Sequence, residues 1–202
     1  MSLMTASPTR LVRAIPMQIA EDLTQLLGYT PPIPLESLAQ DLDTVVVEQH
    51  LGRRGLLGYS WSSETGARIV VVNIDHSEPV VRFTLAHELM HRLLHAQRQT
   101  APLNLHLAVL NLSEMEANAG AGALLVPERW IMPRLEEWNR TESVVGPWSP
   151  DTLRRWRTTA GPLWAREARI SLTALGYRLV DLGVVSSDGA QSWREESPRW
   201  GA

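Results

Sequence analysis

Two histidines four residues apart, with a glutamate directly after the first, form the most reactive pattern in the chain, His87-Glu88-Leu89-Met90-His91. The surrounding residues 82–95 have helical periodicity, and residues four apart share one face of a helix. Both imidazoles can therefore reach the same divalent ion, and zinc suits imidazole ligands in softness and geometry. Glu88 is placed to take a proton from a water on that ion. The pattern predicts a hydrolytic Zn²⁺ site, with Mn²⁺ as the alternative ion.

A catalytic zinc site usually takes three protein ligands and keeps one position open. Four side chains compete for the third place: Glu116, Glu114, His95 and His106. Glu114 and Glu116 are two residues apart, so on a helix they point about 200° away from each other and cannot both bind one ion. His95 lies one helical turn beyond His91, about 6 Å further along the axis of the same helix, and this distance does not suit tetrahedral coordination of one ion. His106 falls in a loop that could bring it to the ion.

The residues after Glu116 favour that carboxylate. Ala117, Ala119, Gly120, Ala121, Gly122 and Ala123 form a run with almost no side-chain bulk. Each glycine costs about 1 kcal/mol against alanine in a helix, and a close approach to the metal-bearing helix would offset it. We therefore expect Glu116 as the third ligand and His95 in a supporting or capping role. Tyr59, His106 and a backbone N–H are equal candidates for stabilising the oxyanion.

The elements around this site predict an α+β fold, with zincin-like helices and a small antiparallel sheet. Apolar residues every fourth position from Leu11 to Leu27 indicate a first helix that ends at Gly28. Strands are expected at 45–47, 56–61 and 68–74, and helices at 35–42, 78–97 and 113–125. Helices around 128–139, 150–159, 161–167 and 172–182 should form the C-terminal part, followed by a loose tail from 186 to 202. We place a metallopeptidase-like domain at 1–130 and a helical region at 131–202.

Composition excludes several classes of site and partner. The 202-residue chain has no cysteine and no lysine, which rules out thiolate ligands, cysteine nucleophiles and Schiff bases. Its net charge of −3 does not suggest nucleic-acid binding by bulk electrostatics. No segment approaches the roughly 20 apolar residues of a membrane span, and the N-terminus lacks the apolar block of a secretory signal. We expect a cytoplasmic protein without a membrane partner.

Several motifs together resemble the ImmA/IrrE family of metallopeptidases. They are Arg82-Phe83-Thr84-Leu85-Ala86-His87-Glu88-Leu89-x-His91, Leu93-Leu94-His95, Glu116-Ala117-Asn118, Leu124-Leu125-Val126-Pro127 and, upstream, Pro34-Leu35-Glu36-Ser37-Leu38-Ala39 and Ile69-Val70-Val71-Val72-Asn73. The resemblance covers residues from about 10 to 130. It implies His87, His91 and Glu116 as ligands and Glu88 as general base. Met90 and Gly120 depart from it, since the family usually has glycine and phenylalanine there, and we expect Met90 or a tryptophan to fill the space.

The resemblance implies a function in transcription regulation and stress response. Family members cut helix-turn-helix repressors and so derepress genes, which makes a repressor of this kind the expected protein substrate. An alternative from another class is a non-proteolytic DNA- or repressor-binding regulator. It depends on residues 163–185, which resemble a helix-turn-helix, and on nearby arginines, although an ordinary solvated helical cap is favoured over direct DNA contact.

Eight tryptophans carry most of the aromatic bulk, since the chain has one phenylalanine. Most are expected in the core or between helices. Trp193 and Trp200, in the expected loose tail, are the best candidates for contact with a partner.

Overall fold

The computed structural model describes residues 8–63, 66–95 and 112–196. The chain begins with helices α1 (Pro8–Leu26) and α2 (Leu35–Asp41), and a small sheet of β1 (Thr44–Gln49), β2 (Gly58–Ser62) and β3 (Arg68–Asn73) follows. Then come α3 (Glu78–Leu94) and α4 (Leu112–Leu125). The C-terminal part consists of α5 (Glu128–Thr141), α6 (Pro150–Thr158), α7 (Ala160–Ala168), α8 (Leu172–Asp181) and α9 (Ser187–Glu196). The α+β class is confirmed.

The sheet has the strand order β1-β3-β2. It is a mixed sheet, whereas the sequence had predicted an antiparallel one. The β2 and β3 strands form the antiparallel pair, whereas β1 lies parallel to β3 with Thr44 opposite Arg68. The residues from His50 to Leu57 therefore carry the chain across β3 before β2 begins. A fixed loop makes this crossing possible, because the Asn73 side chain donates to the backbone oxygens of Gly52 and Leu56 at 2.9 Å.

The α3 helix packs on one face of this sheet and is fixed at both ends. Ser77 and Pro79 begin it, and Pro79 needs no hydrogen-bond partner in the first turn. The buried Arg82 guanidinium donates to the Ile33 carbonyl at 2.7 Å, which ties α3 to the segment before α2. At the other end His95 is the C-cap, and its backbone N–H bonds to the His91 carbonyl. The middle of α3 is buried almost completely, including its polar residues.

The close approach of α4 to α3 requires small side chains. Ala117, Ala121 and Ala123 are fully buried, and a Cβ on Gly120 would lie 2.4 Å from the terminal methyl of Met90. Met90 thus fills the space beside Gly120, which is the compensation expected for the two departures from the family pattern. On its other side α4 packs along α1.

Buried tryptophans join the C-terminal helices. The Trp148 ring lies 4.6 Å from Trp138 and 5.8 Å from Trp156, and the Trp156 ring lies 6.1 Å from Trp193. The expectation of a tail that is loose from residue 186 is wrong for residues 187–196, which form α9. Trp193 is only 2% exposed and packs in the core, so it is not available to a partner, while Trp200 lies outside the described residues.

The core is continuous across the expected boundary near residue 130, because one buried cluster includes Leu89 of α3, Leu124 of α4, Trp156 of α6 and Leu175 of α8. The division into two domains stays a prediction. Among the described residues, no helix has both the length and the apolar character needed to cross a membrane.

Candidate metal centre

The two histidines of the motif meet at one point on the buried face of α3. His87 is 5% exposed and His91 is 3% exposed. Their rings lie 4.6 Å apart, and the two Nε2 atoms approach to 3.0 Å. Because one helical turn separates the residues, this convergence follows directly from their spacing.

A carboxylate from α4 completes the cluster. Glu114 Oε2 lies 3.2 Å from His87 Nε2, and Glu114 Oε1 lies 3.2 Å from His91 Nε2. The three side chains offer ligand atoms that all lie within 4.8 Å of one another. Glu114 is the most exposed member, with 37% of its side chain accessible, so the cluster is open on the side of the carboxylate.

The structure therefore places Glu114, and not the expected Glu116, against the histidine pair. Glu116 instead contacts His95, with Oε2 at 3.3 Å from the ring Nε2. The run of small residues correctly located the helix that approaches α3, but it did not set the rotation of that helix about its axis. A two-residue step turns a side chain by about 200°, so this rotation alone decides which carboxylate faces the imidazoles.

Sequence reasoning missed Asn118 as a functional residue. Its Oδ1 lies 3.1 Å from His87 Nδ1. When this oxygen accepts a hydrogen bond, Nδ1 carries the proton and the lone pair of Nε2 points at the cluster. The sequence spacing could have indicated this contact, because Asn118 stands four residues after Glu114 and thus on the same face of α4.

The histidines dominate the electrostatics of the carboxylate. Burial by itself would raise the pKa of Glu114, but hydrogen bonds and favourable charge interactions from His87 and His91 outweigh this effect and hold the pKa well below its usual range. Glu114 is therefore an anion throughout the physiological pH range.

Glu88 is not one of the three residues of this cluster. It is 3% exposed and follows His87 on α3. In the part of the chain that the structure describes, no hydrogen bond or ion pair engages its carboxylate. The group is thus not committed to a structural contact.

Tyr59 is not part of the cluster. Tyr59 lies on the sheet face opposite α3, because its neighbour Gly58 is the residue that approaches Thr84 of α3. A role of Tyr59 in stabilising an oxyanion stays a prediction. His106 lies outside the described residues.

The residues present fit a divalent metal. Two imidazole nitrogens and one carboxylate form a donor set of catalytic zinc sites. The 3.0 Å approach of the two Nε2 atoms brings both imidazole nitrogens to one point, as ligation of a shared ion requires. The cluster is thus compatible with a metal site.

Comparison with protein-family models matches residues 39–180 to the IrrE N-terminal-like domain, designated Peptidase M78. This match includes the whole sheet, α3 and α4, and it continues into α8. A search among curated proteins found no match.

Proposed function

Since the chain belongs to the IrrE N-terminal-like domain family, Peptidase M78, we propose that it is a zinc-dependent endopeptidase. The family supports a metallopeptidase-type activity. The observation that carries the more specific proposal is the meeting of three ligand atoms, from His87, His91 and Glu114, at the helix that also carries the buried Glu88 directly after His87.

The roles of the side chains follow from their positions. His87, His91 and Glu114 would hold the ion, and Asn118 would fix the tautomer and ring orientation of His87. A bound zinc ion supplies Lewis acidity, which polarises a peptide carbonyl and lowers the pKa of water. Glu88 would accept a proton from the attacking water and deliver it to the leaving amine.

We propose a helix-turn-helix transcriptional repressor as the substrate, and derepression of its genes in a stress response as the outcome. This part of the proposal rests on the family resemblance. A cytoplasmic location would bring enzyme and repressor together.

The alternative of a DNA-binding regulator is not supported by the C-terminal region. The α7 and α8 helices are joined by a three-residue turn, as in a helix-turn-helix. However, the only basic residue of α8 is Arg178, which is 3% exposed and paired with Glu21. Nearby arginines are also paired, Arg155 with Glu142 and Arg157 with Glu196. A recognition helix needs a free polar or basic face, and α8 does not offer one.

The proposal is tested by separating metal binding from catalysis. Glu88→Gln should keep one zinc per chain, measured by elemental analysis after dialysis, but should lose cleavage of any helix-turn-helix repressor that the parent cuts on co-expression. His87→Ala should lose both the metal and the activity. Glu78→Gln, at the exposed start of α3, is the matched control and should change neither. Cleavage by Glu88→Gln at the rate of the parent would refute the role of Glu88, and unchanged zinc content in His87→Ala would refute the site.

A further inference from the structure

Arg92, the residue that follows the second histidine of the motif, points from α3 toward the edge strand β2. Its Nη1 donates to the hydroxyl of Ser62, the last residue of β2, at 2.6 Å. Two helical turns earlier Thr84 meets the start of the same strand, since a Cβ on Gly58 would lie 2.6 Å from its Cγ2. Residues four apart share one face of a helix, so Thr84, Glu88 and Arg92 form one row along β2. Arg92 thus stands one turn beyond Glu88, about 6 Å along the helix axis.

Arg92 is partly buried and has no acidic partner within residues 8–63, 66–95 and 112–196. Its one hydrogen bond there goes to a neutral hydroxyl, and its buried Nε has no acceptor. By contrast Arg13 and Arg178, which are also withdrawn from solvent, each pair with a carboxylate. A charge that is partly removed from water is costly unless an opposite charge compensates it. The positive charge at position 92 is therefore left without such compensation.

A second arginine lies at the same end of the sheet. Arg68, the first residue of β3, is opposite Ser62 in the strand register, and opposed residues of an antiparallel pair turn their side chains to the same face. Arg68 is exposed, and it donates to the Leu42 carbonyl rather than to an acid. Burial and the positive charge of Arg68 lower the pKa of Arg92 from its ordinary value, and no carboxylate in the described part of the chain raises it. We call these three residues, Ser62, Arg68 and Arg92, the basic cluster.

The chemistry of a peptide substrate determines which anion can occupy the basic cluster. A guanidinium group presents paired N–H donors whose spacing matches the two oxygens of a carboxylate. An extended peptide advances about 3.3 Å per residue, so the step from Glu88 to Arg92 corresponds to about two residues of a bound chain. An aspartate or glutamate side chain of the substrate is thus the anion that lies within reach.

We infer that the basic cluster selects protein substrates that carry an aspartate or glutamate within about three positions of the cleaved peptide bond. The inference rests on the proposed function, in which Glu88 acts at that bond. It makes Arg92 a residue that determines specificity, because its guanidinium contacts a substrate side chain and not the reacting atoms.

Cleavage of matched peptides measures the selection. The zinc-loaded full-length chain is incubated with short synthetic peptides of random sequence, and mass spectrometry of the products identifies the bonds that are cut. For the parent, aspartate and glutamate should be enriched at a position within three residues of those bonds. In a single peptide, replacing that acidic residue by its amide should lower kcat/KM at least about tenfold, because a charge-assisted hydrogen bond is lost.

Variants assign the selection to the two arginines. Arg92→Gln should cut the acidic peptide and its amide counterpart at similar rates, whereas Arg92→Lys keeps the charge and should retain part of the preference. Arg68→Gln should reduce the preference less than Arg92→Gln, because Arg68 is exposed and its charge is screened by water. Arg166→Gln removes an exposed arginine from α7, and this matched control should behave like the parent.

A binding measurement separates the basic cluster from the peptidase activity. In the full-length protein labelled with ¹⁵N-arginine, the Nε–H signal of Arg92 is identified by its absence from the spectrum of Arg92→Lys. Titration with acetyl-Ala-Glu-Ala-amide should shift this signal saturably, and acetyl-Ala-Gln-Ala-amide should not. Glu64 lies outside the described residues and is the carboxylate nearest to Ser62 in sequence, and Glu64→Gln should leave the titration unchanged.

Three results would overturn the inference. One is equal kcat/KM of the parent for the acidic peptide and its amide counterpart, and another is an Arg92 signal that responds no more to the glutamate peptide than to the glutamine peptide. The third is a saturable shift that appears only in Glu64→Gln, since the basic cluster would then serve a carboxylate of the chain itself. A parent that shows the shift but cuts no peptide would instead refute the peptidase activity and leave the carboxylate site in place. Should Arg92→Gln fail to fold by circular dichroism, Arg92→Lys and the titration of the parent decide the question.

Discussion

Two carboxylates of α4, Glu114 and Glu116, contact histidines of α3. Glu114 lies against the convergent pair, whereas Glu116 lies against His95, one turn further along. The second contact favours the observed rotation of α4, because a shift that brought Glu116 to the pair would break its contact with His95. We therefore assign His95 and Glu116 a positioning role.

Charge removal at each carboxylate distinguishes a ligand from a positioning residue. Glu114→Gln removes an anionic donor and should lower zinc affinity by more than about 100-fold, beyond the 10–100-fold typical of residues that contact ligands. Glu116→Gln should lower it by less than about tenfold, because the residue touches only His95. Competition with a zinc-sensitive chelating dye measures both affinities. The reverse order of effects would show that Glu116 is the ligand.

Asn118 is expected to act through the orientation of His87. Asn118→Leu has a similar volume but no acceptor for His87 Nδ1, so zinc affinity should fall about 10–100-fold. Asn118→Asp keeps an oxygen at this position and should retain most of the affinity. The ¹⁵N chemical shifts of the His87 ring should show the Nδ1–H tautomer in the parent and a mixture of tautomers in Asn118→Leu. An unchanged tautomer and affinity in that variant would remove the assigned role.

At the scale of elements, local sequence patterns predicted which helices and strands form better than they predicted how these elements pack against one another. The i, i+4 histidines and the run of small residues were sufficient to predict α3, α4 and their contact, because both signals are local. The parallel pairing of β1 with β3 depends on a connection that Asn73 fixes by side-chain hydrogen bonds, and no local period reports such a bond. The contact of Glu114, rather than Glu116, with the histidine pair was not predicted for a related reason, since helix rotation depends on packing along the whole helix.

We expect the contact between α3 and α4 to tolerate a swap of side-chain volume, in which position 90 becomes small and position 120 becomes large. Met90→Gly should destabilise the fold by about 2–5 kcal/mol through a cavity in addition to about 1 kcal/mol of helix propensity. Gly120→Phe alone should also be destabilising, because even a Cβ there would lie 2.4 Å from the Met90 methyl. The double variant should recover at least about 1 kcal/mol relative to the sum of the single changes. Urea unfolding monitored by circular dichroism measures all four proteins, and additive effects would show that the two positions do not share this space.

At the scale of the whole molecule, Arg178 joins the two ends of the chain. From α8 it donates to the Val126 carbonyl at the end of α4 at 3.0 Å and to Glu21 on α1. Asp181, one turn further on α8, pairs with Arg13 of α1 at 2.7 Å. Burial raises the pKa of both Glu21 and Asp181, against the lowering effect of the arginines. The α1, α4 and α8 helices are thus coupled by one network of charged side chains.

We expect this coupling to make the described part of the chain unfold as one unit. Tryptophan fluorescence, which reports mainly on the C-terminal helices, and far-ultraviolet circular dichroism should then give coincident urea transitions. Two separated transitions would instead support independent domains on either side of residue 130.

Arg178→Met tests the network because it leaves Glu21 and Asp181 buried without their shared cation. The loss should be about 3–5 kcal/mol at neutral pH and should appear equally in both spectroscopic signals. A carboxyl group whose pKa is raised in the folded state adds to the free energy of unfolding at pH values below its unfolded-state pKa. This contribution is lost as the pH rises through the folded-state pKa. The variant should therefore recover part of its deficit as pH falls toward the ordinary carboxyl values of 4.5 and 3.8. Adding Glu21→Gln to Arg178→Met should restore stability at neutral pH, whereas a deficit that is independent of pH and of Glu21 would show that Arg178 contributes packing rather than charge.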